Sequence, residues 1–401
     1  MAFRSVELSL KERDRRYKLV REEMERRGLD CLVVWGDCGK WDIKFASINY
    51  LTQIGGNGEV GMCIFPKEGE PAVYVWAIYM IDEWLEYQSW VKDVRSSRAT
   101  RWGRPYWSNT VIDRIKELKL ENGRIGIVGL EGTELEGDIP YVTYKKILEG
   151  LPNATFENAT DLIENLRVIK SEEELRCIEK ASAIGDLAAE EMYRKAKVGA
   201  SEEELFAGMV KTMIVNGSEY PIMFLWSAGK YNRAKRLTYN KRRKLRKGDV
   251  ILTEYSPKYR GYCSHLQRPI CIGKPDSFTR NLFEASVESF YAGLSVVKAG
   301  VTVGELCKKM YEPIERRGFV LYAGVLFHGM GLYWEKPHGT PFLTPEAARV
   351  ELKEGVVLAF EPGASDPDLK RGIHVGHPIV VTAKGYRELS KAKVELKIKA
   401  V

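Results

Sequence analysis

Two residues that can move protons or bind metal ions lie within the apolar runs of the segment ILTEYSPKYRGYCSHLQRPICIG, at positions 251–273. Glu254 lies in the first apolar run and His265 in the second, and the Ser256-Pro257 pair predicts a turn between two strands. A buried carboxylate is unfavourable unless a cation, a metal ion or hydrogen-bond donors compensate its charge. Glu254 and His265 therefore make this hairpin a candidate chemical site.

Glu254 has a counterpart later in the chain, because the second half of the sequence contains a duplication. The segment KVGASEEELFAGMVKTMIVNGS matches KAGVTVGELCKKMYEPIERRGF, and LRKGDVILTEYSP matches LKEGVVLAFEPGA. The second match pairs Glu254 with Glu361, and both copies of the first match carry a helix-capping box. Duplicated units pack with a site between the copies, so we expect both carboxylates in one cleft.

Histidine is rare in this chain and confined to its last 137 residues, at His265, His328, His338, His374 and His377. Any one of these residues alone is more typical of a hydrogen-bonded structural histidine. Their proximity in sequence to two glutamates inside apolar runs favours a catalytic or metal-binding role for some of them.

The elements that must position these side chains differ between the two halves of the chain. In residues 1–165, short β-rich runs (DCLVVWG, GMCIFP, PAVYVW and RIGIVG) alternate with helical patterns such as 9–28 and 138–150. This alternation is typical of an α/β domain with a buried sheet. A capping box at Ser171 and Glu174 then begins a long helix, so we predict two domains, 1–165 and 166–401.

The composition is that of a globular protein, with 44% hydrophobic residues, a net charge of +7 and no bilayer-length apolar run. Seven scattered cysteines without a CxxC pair, and a charged N-terminus, predict a cytoplasmic protein. Low glutamine with abundant Lys, Arg and Glu hints at a thermophile. The basic run 233–249 is interpreted as a solvated loop; attraction of an anionic substrate is the alternative, and nucleic acid is disfavoured because no binding motif accompanies the run.

Several motifs together resemble the creatinase, aminopeptidase P and prolidase family, whose C-terminal domain has the pita-bread fold. INYLTQIGG at 48–56 is similar to the family's N-terminal domain, and LRVIKSEEELRCIEKASAI to its interdomain helix. The segments around Glu254, HGMGL, LKEGVVLAFEPG and GIHVGHPIVVT follow the order of its metal-ligand segments. The resemblance implies an α/β chain: a creatinase-like N-terminal α/β domain followed by a duplicated α+β pita-bread domain. It also implies a homodimer.

The family's metallopeptidases hold two metal ions with Asp, Asp, His, Glu and Glu, and this chain departs from that set. The corresponding positions here are Glu254, His265, His328, Glu361 and Gly376. The second Asp and the last Glu bridge the two ions, whereas an imidazole offers one in-plane lone pair and a glycine offers no side chain. A dinuclear cluster is therefore not expected.

Two histidines that contact substrate in the family's peptidases are also replaced, and they fall on Leu237 and Glu335. The resemblance therefore implies the family's fold with altered site chemistry. A substrate other than creatine is expected, because creatinase-type members use a catalytic histidine at the Leu237 position.

The predicted function is a hydrolase of this fold that acts without a dinuclear centre on a C–N or amide bond of a small amino-acid-like molecule or short peptide. The candidate catalytic residues are Glu254, His265, His328, Glu335 and Glu361. Metal-independent chemistry is favoured, with the carboxylates holding a cationic group or water and an imidazole moving protons.

Two alternatives stay open at this point. One is a mononuclear Xaa-Pro-type peptidase with a Zn²⁺, Mn²⁺ or Fe²⁺ ion on Glu254, His265, His328 and Glu361. The other is a non-catalytic binding protein on the same fold.

Overall fold

A computed structural model of the chain describes residues 7–37, 43–55, 60–96, 106–131, 139–230, 243–322, 324–332 and 334–400. These residues form two compact units, one of residues 7–167 and one that begins at Val168. Leu237 and the larger part of the basic run, 233–242, lie outside the described residues. Within the described part of the chain, each helix is either too short or too polar to cross a bilayer.

The elements are named in chain order. The helices are α1 (Leu10–Arg27), α2 (Ala46–Thr52), α3 (Ile81–Tyr87), α4 (Trp107–Glu117), α5 (Tyr141–Gly150), α6 (Thr160–Arg167), α7 (Glu172–Lys195), α8 (Glu202–Val215), α9 (Ser277–Leu294), α10 (Val303–Glu315) and α11 (Pro345–Ala348). The strands of the first unit are β1 (Cys31–Asp37), β2 (Val60–Pro66), β3 (Ala72–Val75), β4 (Asp93–Ser96), β5 (Arg124–Val128) and β6 (Thr155–Asn158).

The strands of the second unit are β7 (Glu219–Gly229), β8 (Val250–Tyr259), β9 (Tyr262–Cys263), β10 (Leu266–Gln267), β11 (Ile270–Ile272), β12 (Val320–Leu321), β13 (Phe327–Met330), β14 (Trp334–Gly339), β15 (Val357–Phe360), β16 (Gly363–Ser365), β17 (Gly372–His374), β18 (His377–Thr382), β19 (Gly385–Glu388) and β20 (Lys397–Lys399).

The first unit is built on one mixed sheet in the order β4-β3-β2-β1-β5-β6. Strand β1 pairs antiparallel with β2 and parallel with β5. Alternate residues of β1, such as Val33, pack in one cluster with Val111 of α4 and Ile147 of α5, while Leu32 and Val34 are buried on the opposite face of the strand. Burial on both faces explains the nearly continuous apolar runs of these strands.

The second unit contains three sheets, in the orders β10-β8-β11-β20, β12-β16-β17 and β14-β13-β15-β18-β19; β7 and β9 also pair with β8. One apolar cluster joins α7 and α8 to β7 and β8, and another joins α9 and α10 to β13, β15 and β18. Each copy of the sequence repeat thus has its own apolar cluster, and β8 contributes residues to both clusters.

Equivalent hydrogen bonds show that the repeat is also structural. The Gly199 N–H donates to the Leu245 carbonyl at 2.9 Å, and the Gly300 N–H donates to the Leu352 carbonyl at the same distance. Both glycines have a positive φ, 81° and 87°, which a side chain disfavours. Strands β8 and β15 therefore occupy equivalent positions in the two copies, β8 following α8 and β15 following α10 in the chain.

The capping predictions differ in outcome between the two copies. Thr302 and Glu305 form the complete capping box at the start of α10. At the start of α8, Ser201 accepts from the Glu204 N–H at 3.4 Å, but its own hydroxyl donates to the Glu203 carboxylate at 2.5 Å. The reciprocal half of the predicted α8 box is thus replaced by a contact with the neighbouring glutamate.

The hairpin that carries Glu254 and His265 turns later than the sequence predicts. Strand β8 continues through Ser256-Pro257, and the chain reverses at Arg260 and Gly261, both with positive φ. Pro257 is accommodated because the pairing of β8 with β7 is irregular next to it. The extension buries almost the whole of β8 and leaves His265 in the connection between β9 and β10.

Candidate metal centre

Glu254 occupies the middle of β8, which has partners on both sides. It lies opposite Leu225 of β7 and Gln267 of β10. Its side chain is buried, with 6% of the surface exposed. Because β8 is buried along almost its whole length and is paired on both sides, its backbone fixes this carboxylate in the interior of the second unit.

His265 contacts both glutamates through one ring nitrogen. Its Nε2 lies 3.1 Å from Glu361 Oε2 and 3.6 Å from Glu254 Oε1. Its Nδ1 lies 2.8 Å from the Ser256 hydroxyl. A hydroxyl both donates and accepts, so Ser256 supports either neutral tautomer of His265: one in which Nε2 donates to Glu361, and one in which Nε2 carries a lone pair.

His328, in β13, has a defined tautomer. Its Nδ1 lies 2.8 Å from the Gly329 carbonyl, and only an N–H can bond to that oxygen. Burial lowers the pKa of His328 to about 4, so the ring is neutral near pH 7. Its Nε2 therefore carries a lone pair, and it lies 3.5 Å from Glu361 Oε1. Two acceptors that face each other in a buried site require a positive charge or a proton between them.

Glu361 follows β15 directly and is the residue that the contacts share. Its backbone N–H donates to the Leu326 carbonyl at 2.9 Å, which fixes the end of the strand. Its Oε2 accepts a hydrogen bond from Gln267 Nε2 at 3.0 Å, in addition to its contacts with His265 and His328. The repeat therefore does bring Glu254 and Glu361 into one cluster.

His374, at the end of β17, joins this cluster from the side of Glu254. Its Nδ1 lies 3.8 Å from Glu254 Oε2. Two overlapping donor triads result: His265 with His328 and Glu361, and Glu254 with Glu361 and His374, each with ligand atoms within 4.8 Å of one another. All five side chains are buried.

The first triad has spacings that suit a metal ion. Ligand bonds of about 2.1 Å in a tetrahedron place neighbouring donors about 3.4 Å apart. The distances of 3.1 Å between His265 and Glu361 and 3.5 Å between His328 and Glu361 lie close to that value. Two histidines and one glutamate are a ligand set that catalytic zinc sites use. The residues present therefore fit one divalent ion.

Glu335, a further predicted site residue, lies in β14 opposite Gly329. It forms an ion pair with Lys170, and both side chains are almost completely buried. Lys170 Nζ also donates to the Val168 carbonyl at 3.1 Å. Lys170 has no sequence signal for this pairing, because only the three-dimensional structure brings two residues so distant in the chain together.

Gly376 stands where the family has its last bridging carboxylate, and backbone fills the space around it. A Cβ at this position would lie 1.8 Å from the Phe360 carbonyl oxygen. The residue also exchanges two backbone hydrogen bonds with Gln267, of 3.1 and 3.3 Å. The fold therefore has no room for a side chain here.

Three residues of the cluster were missed as candidates: Ser256, Gln267 and His374. Gln267 follows His265 by two positions and pairs with Glu254 across the sheet, a spacing that places alternate side chains on one face. That spacing is the available sequence signal, whereas His374 is brought in by a hairpin whose register the sequence does not specify.

Two protein-family models match the chain. The metallopeptidase family M24 model matches residues 176–383, and the creatinase/prolidase N-terminal domain model matches residues 16–169. A Xaa-Pro dipeptidase of Pyrococcus furiosus is 30% identical over 271 residues, which cover 67% of this chain and 76% of that protein. A Xaa-Pro dipeptidase of Pyrococcus horikoshii is 27% identical over 290 residues, 72% of this chain and 81% of that protein.

Solved structures share the fold along nearly the whole chain. The X-Pro aminopeptidase from Thermotoga maritima MSB8 superposes with a TM-score of 0.80 at 19% identity, covering 96% of this chain and 99% of that one. A prolidase from Thermococcus sibiricus has a TM-score of 0.79 at 22% identity, covering 98% of this chain and 100% of that one. These matches confirm the predicted fold class, a creatinase-like α/β domain followed by a pita-bread domain.

Proposed function

The chain belongs to metallopeptidase family M24, and on that premise we propose that it is a hydrolase that uses one divalent metal ion to cleave an amide C–N bond in a short peptide or similar amino-acid derivative. The ion would be held by Glu254, His265, His328 and Glu361. The observation that carries the proposal is the pair of facing acceptors, His328 Nε2 and Glu361 Oε1, 3.5 Å apart in a buried site.

Charge supports a single ion rather than two. The family's set contains four carboxylates, whose formal charge of −4 balances two divalent ions. The described donors here are two glutamates and three imidazoles, whose formal charge of −2 balances one divalent ion. A second ion would leave an uncompensated positive charge in a buried site, which is strongly unfavourable.

The hydrogen-bond partners of the two histidines can leave their Nε2 lone pairs available to a metal ion. The Gly329 carbonyl accepts from Nδ1 of His328, so Nε2 of that ring faces Glu361 with its lone pair. Ser256 can accept from Nδ1 of His265 and thereby turn the second lone pair toward the same carboxylate. Such partners orient ligand rings and fix their tautomers in metal sites.

A divalent ion in this position would polarise the scissile carbonyl and acidify a bound water. Proton transfer then falls to the second carboxylate oxygen of Glu254, which is not needed to bind the ion, because a hydrogen bond from Gln267 and contacts with two imidazoles already hold Glu361. A carboxylate in a dry site takes a proton from water and returns it to the leaving amine. Glu335 is proposed to lie near the substrate, and Lys170 neutralises its charge.

A metal-free hydrolase remains the second candidate, and one observation favours it. His265 Nε2 and Gln267 Nε2 lie 3.1 and 3.0 Å from Glu361 Oε2, and both can donate to it. In that tautomer the carboxylate is satisfied at this oxygen without a metal ion. The two candidates thus differ in the tautomer of His265.

The test is hydrolysis of a panel of Xaa-Pro and other dipeptides and of N-acyl amino acids by chelator-treated protein, before and after addition of Zn²⁺, Mn²⁺, Co²⁺ or Fe²⁺. The proposal predicts activity that is lost on chelation and restored by one equivalent of metal. Equal activity in the chelated protein would support the metal-free candidate. No hydrolysis under any condition would contradict both.

A further inference from the structure

His374 does not correspond to any metal-ligand position of the family, yet the fold places its side chain in the cluster. In the β16–β17 hairpin it lies directly opposite Gly363, two residues after Glu361. Its side chain is buried, with 1% of the surface exposed, and its Nδ1 lies 3.8 Å from Glu254 Oε2. The register of this hairpin therefore brings His374 to the same side as both carboxylates.

Two glycines and a tyrosine shape the position of this imidazole. The ring centroids of Tyr322 and His374 are 5.3 Å apart. A Cβ on Gly372 would lie 2.1 Å from the Tyr322 ring, and a Cβ on Gly363 would lie 2.7 Å from Cβ of His374. The absence of side chains at both positions leaves the space that the two rings occupy.

The donor atoms of His374, Glu254 and Glu361 lie within 4.8 Å of one another. A common ion with bonds of about 2.1 Å allows donors up to about 4.2 Å apart, so small side-chain rotations bring His374 into range. Glu361 also belongs to the triad of His265 and His328. One ion bound to this carboxylate can therefore be contacted by His374 as well as by His265 and His328.

We propose that His374 is a further ligand of the metal ion and that it makes the site selective for zinc-like ions over manganese. The inference rests on the proposed single-metal function. Three imidazoles and two carboxylates form a nitrogen-rich set, whereas the family's set of four carboxylates and one imidazole is oxygen-rich. Imidazole suits Zn²⁺ and Fe²⁺, and carboxylate suits Mn²⁺ and Mg²⁺. His374 thus supplies a nitrogen ligand from a different position, where Gly376 cannot supply the family's carboxylate.

The experiment is titration of chelator-treated, dialysed protein with Zn²⁺ and with Mn²⁺ by isothermal calorimetry. The variants are His374→Gln, which removes the imidazole, and His374→Asp, which restores an oxygen ligand. His377→Gln is the matched control, because His377 is also buried but pairs with Glu388, 2.7 Å from its Nε2. Circular dichroism melting shows that each variant is folded.

The expected result is one site that binds Zn²⁺ more tightly than Mn²⁺. His374→Gln should weaken Zn²⁺ binding at least tenfold, as loss of even a supporting residue does in metal sites. His374→Asp should shift the preference toward Mn²⁺, and His377→Gln should leave it unchanged. If the wild type binds one ion and the folded His374 variants keep its affinity and preference, the inference is wrong while the proposed function stands. If the wild type binds no ion, both fail.

A second measurement uses only the wild-type protein, so it does not require the variants to fold. Proton NMR of the Co²⁺-loaded wild type shows shifted, exchangeable ring N–H signals for each coordinated histidine. The inference predicts three such signals, from His265, His328 and His374. Two signals would contradict a set of three imidazole ligands and would overturn the inference.

Discussion

Restoring the family's last carboxylate by Gly376→Glu should destabilise the second unit rather than create a second metal site. The added Cβ would lie 1.8 Å from the Phe360 carbonyl oxygen, and ordinary contact begins near 3.4 Å. One of the two backbone segments must therefore move. Gly376 exchanges two backbone bonds with Gln267, and its carbonyl accepts from Arg268 Nη1 at 2.5 Å, so this movement breaks the pairing that holds the cluster together.

The size of the effect follows from those three hydrogen bonds. A neutral backbone hydrogen bond contributes about 1 kcal/mol and one from a charged donor about 1.5–3 kcal/mol. Their loss should lower the free energy of unfolding by about 4 kcal/mol. For a unit of this size, each kcal/mol shifts the melting temperature by about 2–4 °C, so the expected drop is roughly 8–16 °C.

The assay is thermal unfolding followed by circular dichroism, together with metal titration of the folded variant. Gly376→Ala carries the same Cβ without the carboxylate and should be similarly destabilised. Gly385→Glu is the control, because a Cβ there meets nothing within 4 Å, and it should melt like the wild type. A Gly376→Glu protein with unchanged melting temperature that binds a second divalent ion would refute the reasoning.

Three further predictions concern the cluster. Glu361→Gln should reduce hydrolysis at least about 100-fold, since it removes a charged ligand, while the melting temperature stays within a few degrees; a sharp drop in melting temperature would instead assign Glu361 a structural role. Ser256→Ala should weaken metal binding about tenfold in calorimetry, because the partner that orients His265 is lost; unchanged affinity would contradict that role. Burial lowers the pKa of His328 from 6.5 to about 4. The contribution of neutral His328 to the free energy of unfolding of the metal-free protein should therefore be fully present above pH 6.5, and about 3 kcal/mol should be lost as the pH falls from 6.5 through 4; urea unfolding of His328→Gln should not show this loss.

Local signals in the sequence were sufficient to predict the helices and the duplicated unit that surround the site. The capping boxes at Ser171 and Thr302 begin α7 and α10, because a cap depends on residues only three positions apart. The duplication was visible in sequence because Gly199 and Gly300 must adopt a positive φ in both copies. The turn after β8 was misplaced because tertiary pairing with β7 tolerates Pro257 in the strand.

The candidate site was only partly predictable. Glu254, His265, His328 and Glu361 were found from the repeat and from the order of the motifs, and the structure brings them together. His374 was not selected, because its approach depends on the register of β16 with β17. Pairing register is set by the whole sheet and not by a short motif.

Gly376 also illustrates what the sequence alone does not show about the site. A glycine in place of a ligand indicates in sequence only that a carboxylate is missing. Its contact with Phe360 shows in addition that the space for that carboxylate is closed. This distinction between an absent ligand and an absent pocket depends on packing between residues that are distant in sequence.

The most direct test of the single-metal account is the number of divalent ions that each chain of the protein binds. Native mass spectrometry of chelator-treated protein, reloaded with excess Zn²⁺ and then desalted, counts the ions per chain. The account predicts one, because two carboxylates balance the charge of one ion and Gly376 leaves no room for a bridging ligand. Two tightly held ions per chain would contradict it.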